Sequence, residues 1–206
     1  MAALSAGTNA TAAETGLYKP LELDELEYHL GQVFKSLGYD LGDQHFVKTP
    51  ERVAAWMWSF RKNGDPAAAG DLLQAVFDDE HNSLVQVGPI SVTSMCAHHG
   101  LPVTGYAWVG YIPDKRVVGL SKLARITNYF SQQFTVQERV TQQIADALTT
   151  HLNPKGAMVV IEAAHGCMSL RGVKEPTAVT VTSAVRGVFK DEMGAREEFL
   201  RLMRRP

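Results

Sequence analysis

Two short segments of this 206-residue chain carry side chains that commonly bind metal ions. Cys96-Ala97-His98-His99 offers a thiol and two imidazoles within one turn of chain, and His165-Gly166-Cys167 offers another imidazole and thiol. Side chains alternate along an extended strand, so His165 and Cys167 are expected to project to the same face. This donor set favours zinc, whose usual ligands are cysteine sulfur and histidine nitrogen.

Five donors are more than a catalytic zinc site needs. Three protein ligands with a water in the fourth position would leave two histidines beside an activated water. The spacing favours Cys96, His99 and Cys167 as ligands, with His98 and His165 free for proton transfer. Two alternatives stay open, namely a closed metal site that only joins two segments and partly buried histidines that bind no metal.

The segment from Gly119 to Arg125 could bind phosphate. A helix predicted to start at Ser121 presents free backbone amides and a positive dipole end, and Lys122 and Arg125 lie three residues apart on one helix face. Arg171, four residues after Cys167, could add a guanidinium group. An ordinary helix start with solvated charges explains the same residues, and the Walker pattern is missing.

Glu138 lies in the polar run Val136-Gln137-Glu138-Arg139. A carboxylate can accept two parallel hydrogen bonds from an amidine-like edge such as that of guanine. Most helical glutamates are simply solvated, so residue type alone does not choose between these roles.

Hydrophobic patterning predicts the elements that must position these residues. From about Ser83 the period changes from helical to strand-like, which predicts one α+β unit. A helical region from Ser121 to about Leu152, divided near Gln133 to Val136, separates two predicted strand pairs. The strands are predicted around Leu84 to Val92, Tyr106 to Tyr111, Ala157 to Ala163 and Thr177 to Val185, and a short basic helix from Arg196 to Arg205 follows.

The chain is predicted to have three parts. Residues 1–20 are read as a disordered tail, 21–82 as an N-terminal helical region and 83–206 as the catalytic domain. In the helical region one amphipathic helix runs from Leu21 to Leu37, and a second starts at Thr49-Pro50 with Thr49 as its side-chain cap.

Composition excludes several classes of protein. Lys and Arg number 20 against 22 Asp and Glu, so the formal charge is −2, and 45% of residues are hydrophobic. A broad nucleic-acid groove or a membrane-surface protein would need a basic excess. The N-terminus lacks the pattern of a secretory signal, and no apolar run is long enough to cross a bilayer. We therefore expect a cytoplasmic protein, in which Cys96 and Cys167 bind metal rather than form a disulfide.

Several motifs together resemble one known family. The segments CAHH, YIPDKRVVGLSKLARI, VQERVTQQIA and AAHGCMSLRGV occur in the order found in GTP cyclohydrolase I, and Thr49-Pro50-Glu51-Arg52 fits that family's TPxR element. The similarity runs from about Leu23 to Arg204.

This resemblance implies a fold and an assembly. The expected fold is an α+β tunnelling fold (T-fold), in which two hairpins form a four-stranded antiparallel sheet with a helix pair on one side, preceded by an N-terminal helical part. Family members join five such sheets into a barrel and stack two barrels, so a homodecamer with active sites between subunits is expected.

The resemblance also implies a reaction and residue roles. The enzyme would hydrolyse GTP at carbon 8 of guanine, release formate and form 7,8-dihydroneopterin triphosphate, the first step of pterin and folate biosynthesis. Cys96, His99 and Cys167 would hold zinc, and His98 and His165 would act as general acid and base. The substrate-binding residues would be Ser121, Lys122, Arg125 and Arg171 at the triphosphate, Glu138 at the guanine edge, and Gln137 beside it.

Two departures from the family pattern bear on rate and subunit contact rather than on reaction class. Ala97 stands where the family usually has glutamate, and Gln133-Phe134-Thr135 replaces a basic residue, Pro or Leu, and Gln. Two rival functions remain, a T-fold relative with a nucleophilic Cys96 or Cys167, which the GLSKxxR and VQER segments disfavour, and a metal-stabilised assembly protein without turnover.

Overall fold

The computed structural model describes residues 21–61 and 65–204 of the chain. By its contacts the chain divides into two compact units, Met1–Arg61 and Lys62–Pro206. The tail predicted for residues 1–20 lies outside the described residues. The boundary predicted between residues 82 and 83 lies within the second unit.

The first unit contains two packed helices, α1 (Leu21–Ser36) and α2 (Thr49–Trp58). Both helices were predicted from sequence. The predicted cap on α2 is wrong, because Thr49 is the first helical residue and no side chain caps the helix at Lys48. The Thr49 hydroxyl instead donates backwards to the carbonyl oxygen of His45 at 3.5 Å.

The second unit carries a sheet and its covering helices. Its helices are α3 (Ala69–Leu72), α4 (Leu120–Ser131), α5 (Gln137–Leu152), α6 (Gly166–Ser169), α7 (Val188–Asp191) and α8 (Met193–Met203). Its strands are β1 (Val76–Asp78), β2 (Val85–Cys96), β3 (Pro102–Ile112), β4 (Arg116–Val118), β5 (Phe134–Thr135), β6 (Gly156–His165) and β7 (Val179–Gly187).

The main sheet has the strand order β5-β2-β3-β6-β7. Its four long strands pair antiparallel, β2 with β3, β3 with β6 and β6 with β7. This arrangement confirms the α+β class and the T-fold predicted from sequence. The two-residue β5, which pairs in parallel with the end of β2, is an addition that is too short to give an alternating pattern.

The predicted helix pair, α4 and α5, covers one face of the sheet. On α4 the buried residues Leu123, Ile126, Thr127 and Phe130 recur at helical spacing, and α5 has the same pattern from Val140 to Leu152. They pack against the residues of one strand face, which on β6 are Ala157, Val159, Ile161 and Ala163. This layer is the main hydrophobic core.

The opposite face of the sheet is partly covered by α7 and α8. Met158 and Val160 of β6 pack there against Phe189 and Phe199. Both faces of β6 are therefore buried, which explains its continuous apolar run in place of an alternating one.

A small second sheet forms beside the start of α4. Strand β1 pairs antiparallel with β4, and the Gly119 amide donates to the Ala75 carbonyl oxygen at 3.0 Å. The structure thus adds a strand within the stretch that patterning predicted to be helical. The three residues of β1 are held by pairing with β4, which is distant in sequence, so local periodicity does not predict this strand.

Gly105 of β3 provides a test of the sheet packing. A Cβ atom at this position would lie 2.0 Å from the Glu162 carbonyl oxygen and 2.5 Å from the Ala163 Cα, both in β6. We expect Gly105→Ala to lower the free energy of unfolding by about 1–3 kcal/mol, since backbone must shift to admit the methyl group. The measurement is the unfolding midpoint in urea.

Gly194→Ala in α8 is the matched control, because a Cβ there meets nothing within 4 Å. It is expected to be neutral or to stabilise by up to about 1 kcal/mol. Equal midpoints for the two variants would contradict the close approach of β3 and β6.

Candidate metal centre and surrounding site

One end of the main sheet gathers residues from distant parts of the chain. Met95 of β2 pairs with Pro102 of β3, and Val103 pairs with His165 at the end of β6. Cys96 pairs with Thr135 of β5, after which α5 begins at Gln137. The register therefore brings the segment Cys96–His99 and the segment His165–Cys167 to the same end of the sheet.

The turn between β2 and β3 presents the first of these segments. The Cys96 amide donates to the Leu101 carbonyl oxygen, and the Gly100 amide donates to that of Cys96, each at 2.9 Å. Gly100 has a φ of 62°, a left-handed conformation that glycine adopts without strain. Cys96 is buried, whereas His98 and His99 are exposed directly after it.

The second segment, His165-Gly166-Cys167, is not extended throughout, in contrast to the prediction from sequence. Strand β6 ends at His165, and Cys167 lies in the short helix α6. The prediction that His165 and Cys167 share one face of a strand is therefore wrong, because the chain turns at Gly166. Cys167 approaches Cys96, while the ring of His165 contacts Gln137.

Cys96, His99 and Cys167 form a cluster with the geometry of a metal site. One potential ligand atom from each lies within 4.8 Å of the others, and the Cys96 sulfur is 3.7 Å from His99 Nδ1. Around tetrahedral zinc, with bonds of about 2.3 Å to sulfur and about 2.0–2.1 Å to nitrogen, ligand atoms lie roughly 3.5–3.8 Å apart. The donor types and their spacing therefore fit zinc.

The second histidine of the turn, His98, lies beside this cluster. Its Nδ1 is 3.9 Å from the Cys96 sulfur, but the three-residue cluster does not include it. The structure therefore groups the three ligands that spacing favoured and leaves His98 next to them.

Burial raises the pKa of the Cys167 thiol, and the neighbouring Cys96 raises it further, while the charge of Arg171 acts in the opposite direction. Two adjacent thiols resist ionising together because their negative charges repel. A bound cation would remove this penalty, since the thiolate is the form that binds a metal.

His165 lies between a buried amide and a carboxylate. Its Nε2 is 2.8 Å from Gln137 Oε1. Burial lowers the pKa of His165, because it disfavours the charged ring, and the negative charge of Glu138 partly offsets this effect. The imidazole of His165 and the exposed carboxylate of Glu138 are therefore close enough to influence one another.

Gln137 is buried, and its amide is hydrogen-bonded within this chain. Its nitrogen donates to the carbonyl oxygens of Ile161 and Thr180, and it lies 3.1 Å from the Thr182 hydroxyl. The Thr182 hydroxyl also lies 2.7 Å from that of Thr141. Sequence reasoning did not find the two threonines, because their proximity arises only when α5 packs on β7.

The predicted phosphate-binding residues divide between two places. Arg171 lies at the metal cluster, where a guanidinium nitrogen is 2.5 Å from His99 Nε2. Ser121, Lys122 and Arg125 lie in the first half of α4, whose C-terminal end leads towards β5 and Cys96. A helix of 12 residues is about 18 Å long, so the start of α4 is separated by about that length from the helix end that leads to β5.

The two departures from the family pattern are accommodated by β5. The Ala97 amide donates to the Thr135 carbonyl oxygen at 3.1 Å, and the Met95 amide donates to that of Gln133 at 3.0 Å. The buried Gln133 side chain donates to the Phe130 carbonyl oxygen at the end of α4. These residues hold the Cys96 end of β2 in place without supplying a ligand.

Known proteins similar to this chain indicate the family to which it belongs. The family model described as GTP cyclohydrolase I matches residues 26–204. GTP cyclohydrolase 1 of Rattus norvegicus is 45% identical over 184 residues, covering 89% of this chain and 76% of the relative. That of Chlorobium chlorochromatii (strain CaD3) is 47% identical over 183 residues, covering 88% and 82% respectively.

A structural comparison matches the apo form of the archaeosine synthase QueF-Like, with a TM-score of 0.41 and 12% identity over 53% of this chain and 96% of that chain. Within the described residues, no helix has the length and apolar character needed to span a membrane.

The family model and the relatives extend over most of the sequence and include both halves of the metal cluster. This chain therefore belongs to the GTP cyclohydrolase I family of enzymes.

Proposed function

We propose that this chain catalyses the zinc-dependent hydrolysis of GTP at carbon 8 of guanine, with release of formate and rearrangement to 7,8-dihydroneopterin triphosphate. The observation that carries this proposal is the convergence of Cys96, His99 and Cys167, with His165 and Glu138 nearby, at one end of the main sheet. The product would enter pterin and folate biosynthesis, and we propose the cytoplasm as the site of action.

Cys96, His99 and Cys167 would hold the zinc ion, leaving one position of a tetrahedron for solvent. When bound, zinc lowers the pKa of a coordinated water to about 7 and so supplies a nucleophile at neutral pH. His99 is exposed and Cys167 is partly exposed, so solvent can reach the residues that would hold the ion.

The remaining residues would bind the purine and move protons. The Glu138 carboxylate is suited to accept hydrogen bonds from the ring N–H and amino group of guanine. A proton from His165 to nitrogen 7 would make carbon 8 more electrophilic, and addition of water there would open the ring. His98, exposed beside the cluster, is available for the proton transfers that accompany formate release.

We also propose that each active site is completed by a neighbouring subunit in a decamer of two stacked pentamers. Ser121, Lys122 and Arg125 lie in the half of α4 away from the helix end that leads to β5 and Cys96, and they would bind the triphosphate of a GTP held at the metal cluster of a neighbouring chain. In the described structure, β2 is paired with β5 only at Met95 and Cys96, and β7 forms the other edge of the sheet. Such edges can pair with further strands of other subunits.

The raised pKa of Cys167 disfavours the rival function in which that cysteine is a nucleophile. A nucleophilic cysteine needs a depressed pKa, because the thiolate is the reactive form. Burial and the neighbouring Cys96 have the opposite effect here. The same two thiols are well suited to share a cation.

The ligand assignment is tested by metal content. We expect Cys167→Ala to lose its bound zinc after dialysis, because only two of the three protein ligands would remain. His98→Ala is the matched control and should keep the one zinc per chain expected of the unmutated protein, as measured by mass spectrometry of the metal. Stoichiometric zinc in Cys167→Ala, or its loss from His98→Ala, would contradict the assignment.

The role of His165 is tested by turnover. His165→Ala should retain zinc but lower kcat for GTP-dependent formate release by about 10²–10⁴-fold, since it removes a proton-transfer group and not a ligand. His81→Ala, in an exposed loop outside the site, should leave formate release unchanged. A clear fall in the zinc content of His165→Ala would overturn this division of roles.

Mixed oligomers test whether subunits share a site. Arg125→Ala should raise KM for GTP, and His165→Ala should lack turnover. If the two residues act in one site but come from different chains, equal co-assembly of the variants restores about a quarter of the sites. Formate release at low GTP should therefore exceed that of the separate variants combined. Activity no higher than that sum would place both residues of each site in the same chain.

A further inference from the structure

A buried amide lies directly behind the ring of His165. Gln137 is the first residue of α5, and only 5% of its surface is exposed. Its Oε1 or Nε2 could in principle face the histidine, because the two ends of an amide have the same shape. The surroundings of Gln137 decide which atom does so.

The Gln137 nitrogen faces two main-chain carbonyl groups. It lies 3.0 Å from the oxygen of Ile161 and 3.0 Å from that of Thr180. Carbonyl oxygens only accept hydrogen bonds, so the reversed amide would place oxygen against oxygen and lose both bonds. The packing of α5 against β6 and β7 therefore fixes the amide with Oε1 facing His165.

The fixed amide determines where His165 carries its proton. Gln137 Oε1 accepts hydrogen bonds and cannot donate them, and it lies 2.8 Å from His165 Nε2. His165 Nε2 is therefore the donor and carries hydrogen. In the neutral ring this leaves Nδ1 without a proton.

We propose that Gln137 is a positioning residue that holds His165 in the tautomer with hydrogen on Nε2, so that Nδ1 is the atom that exchanges protons with the substrate. In the acid step the imidazolium loses its Nδ1 proton to nitrogen 7 of guanine and becomes the neutral tautomer that Gln137 stabilises. This role replaces the direct substrate contact expected for Gln137 from sequence. It rests on the proposed function of His165.

The tautomer can be measured without turnover. In the full-length zinc-loaded protein with nitrogen-15-labelled histidine, the NMR signals of His165 are identified by their absence from His165→Ala. At a pH where this ring is neutral, we expect Nε2 to carry hydrogen and Nδ1 to carry none. A neutral ring with hydrogen on Nδ1 would overturn the proposal, and this readout does not require Gln137→Leu to fold.

Two variants separate positioning from structural support. Gln137→Leu removes the acceptor for His165, whereas Thr182→Val removes another hydrogen bond of the same amide and leaves the contact with His165 in place. We expect Gln137→Leu to lower kcat about 10–100-fold, with KM for GTP and zinc content nearly unchanged. Thr182→Val should keep kcat within about threefold of the unmutated enzyme.

The outcomes distinguish this inference from the proposed function. A raised KM with unchanged kcat in Gln137→Leu would make Gln137 a substrate contact and overturn the inference. Parallel losses of kcat and folded protein in both variants would show that Gln137 has only a structural role, and this result would also overturn the inference. Absence of formate release from the unmutated, zinc-loaded protein would refute the proposed function. The NMR measurement would still test the tautomer of His165, because it does not depend on turnover.

Discussion

The pairing of β3 with β6 is the constraint on which the site depends. Val103 lies opposite His165 in this ladder, so the end of β6 must lie beside the turn that carries Cys96. A shift by one residue would exchange the two buried faces of β6, because alternate residues face opposite sides, and Met158 and Val160 would then lie where Val159 and Ile161 pack against α4 and α5. The hydrophobic core therefore fixes the register, and the register brings together two cysteines that are distant in sequence.

Stability and chemistry are combined at the start of α5. The helix buries Val140, Ile144 and Leu148 against the sheet, while its first turn has Gln137 buried in the interior and Glu138 exposed at the surface. Under the proposed roles, the buried amide would hold the tautomer of His165, and the exposed carboxylate would bind the purine. A single helix start would thus supply both the proposed positioning group and the proposed binding group.

Much of this organisation could be predicted from sequence, because it depends on local pattern. The helix pair, the four long strands and the grouping of Cys96, His99 and Cys167 follow from periodicity and donor types. What could not be predicted depends on contacts between distant segments. The two-residue β5, the turn that separates His165 from Cys167, and the bonds from Gln137 to β6 and β7 leave no periodic signal.

The central claim is that two thiolates and one imidazole hold a zinc ion that keeps one place for solvent. X-ray absorption at the zinc edge of the purified protein tests this claim most directly, because it reports the number of sulfur atoms and imidazole rings around the metal. We expect two sulfurs, one imidazole and one water oxygen around the zinc. A second imidazole in place of water, or an absence of sulfur ligands because Cys96 and Cys167 are joined to each other, would contradict it.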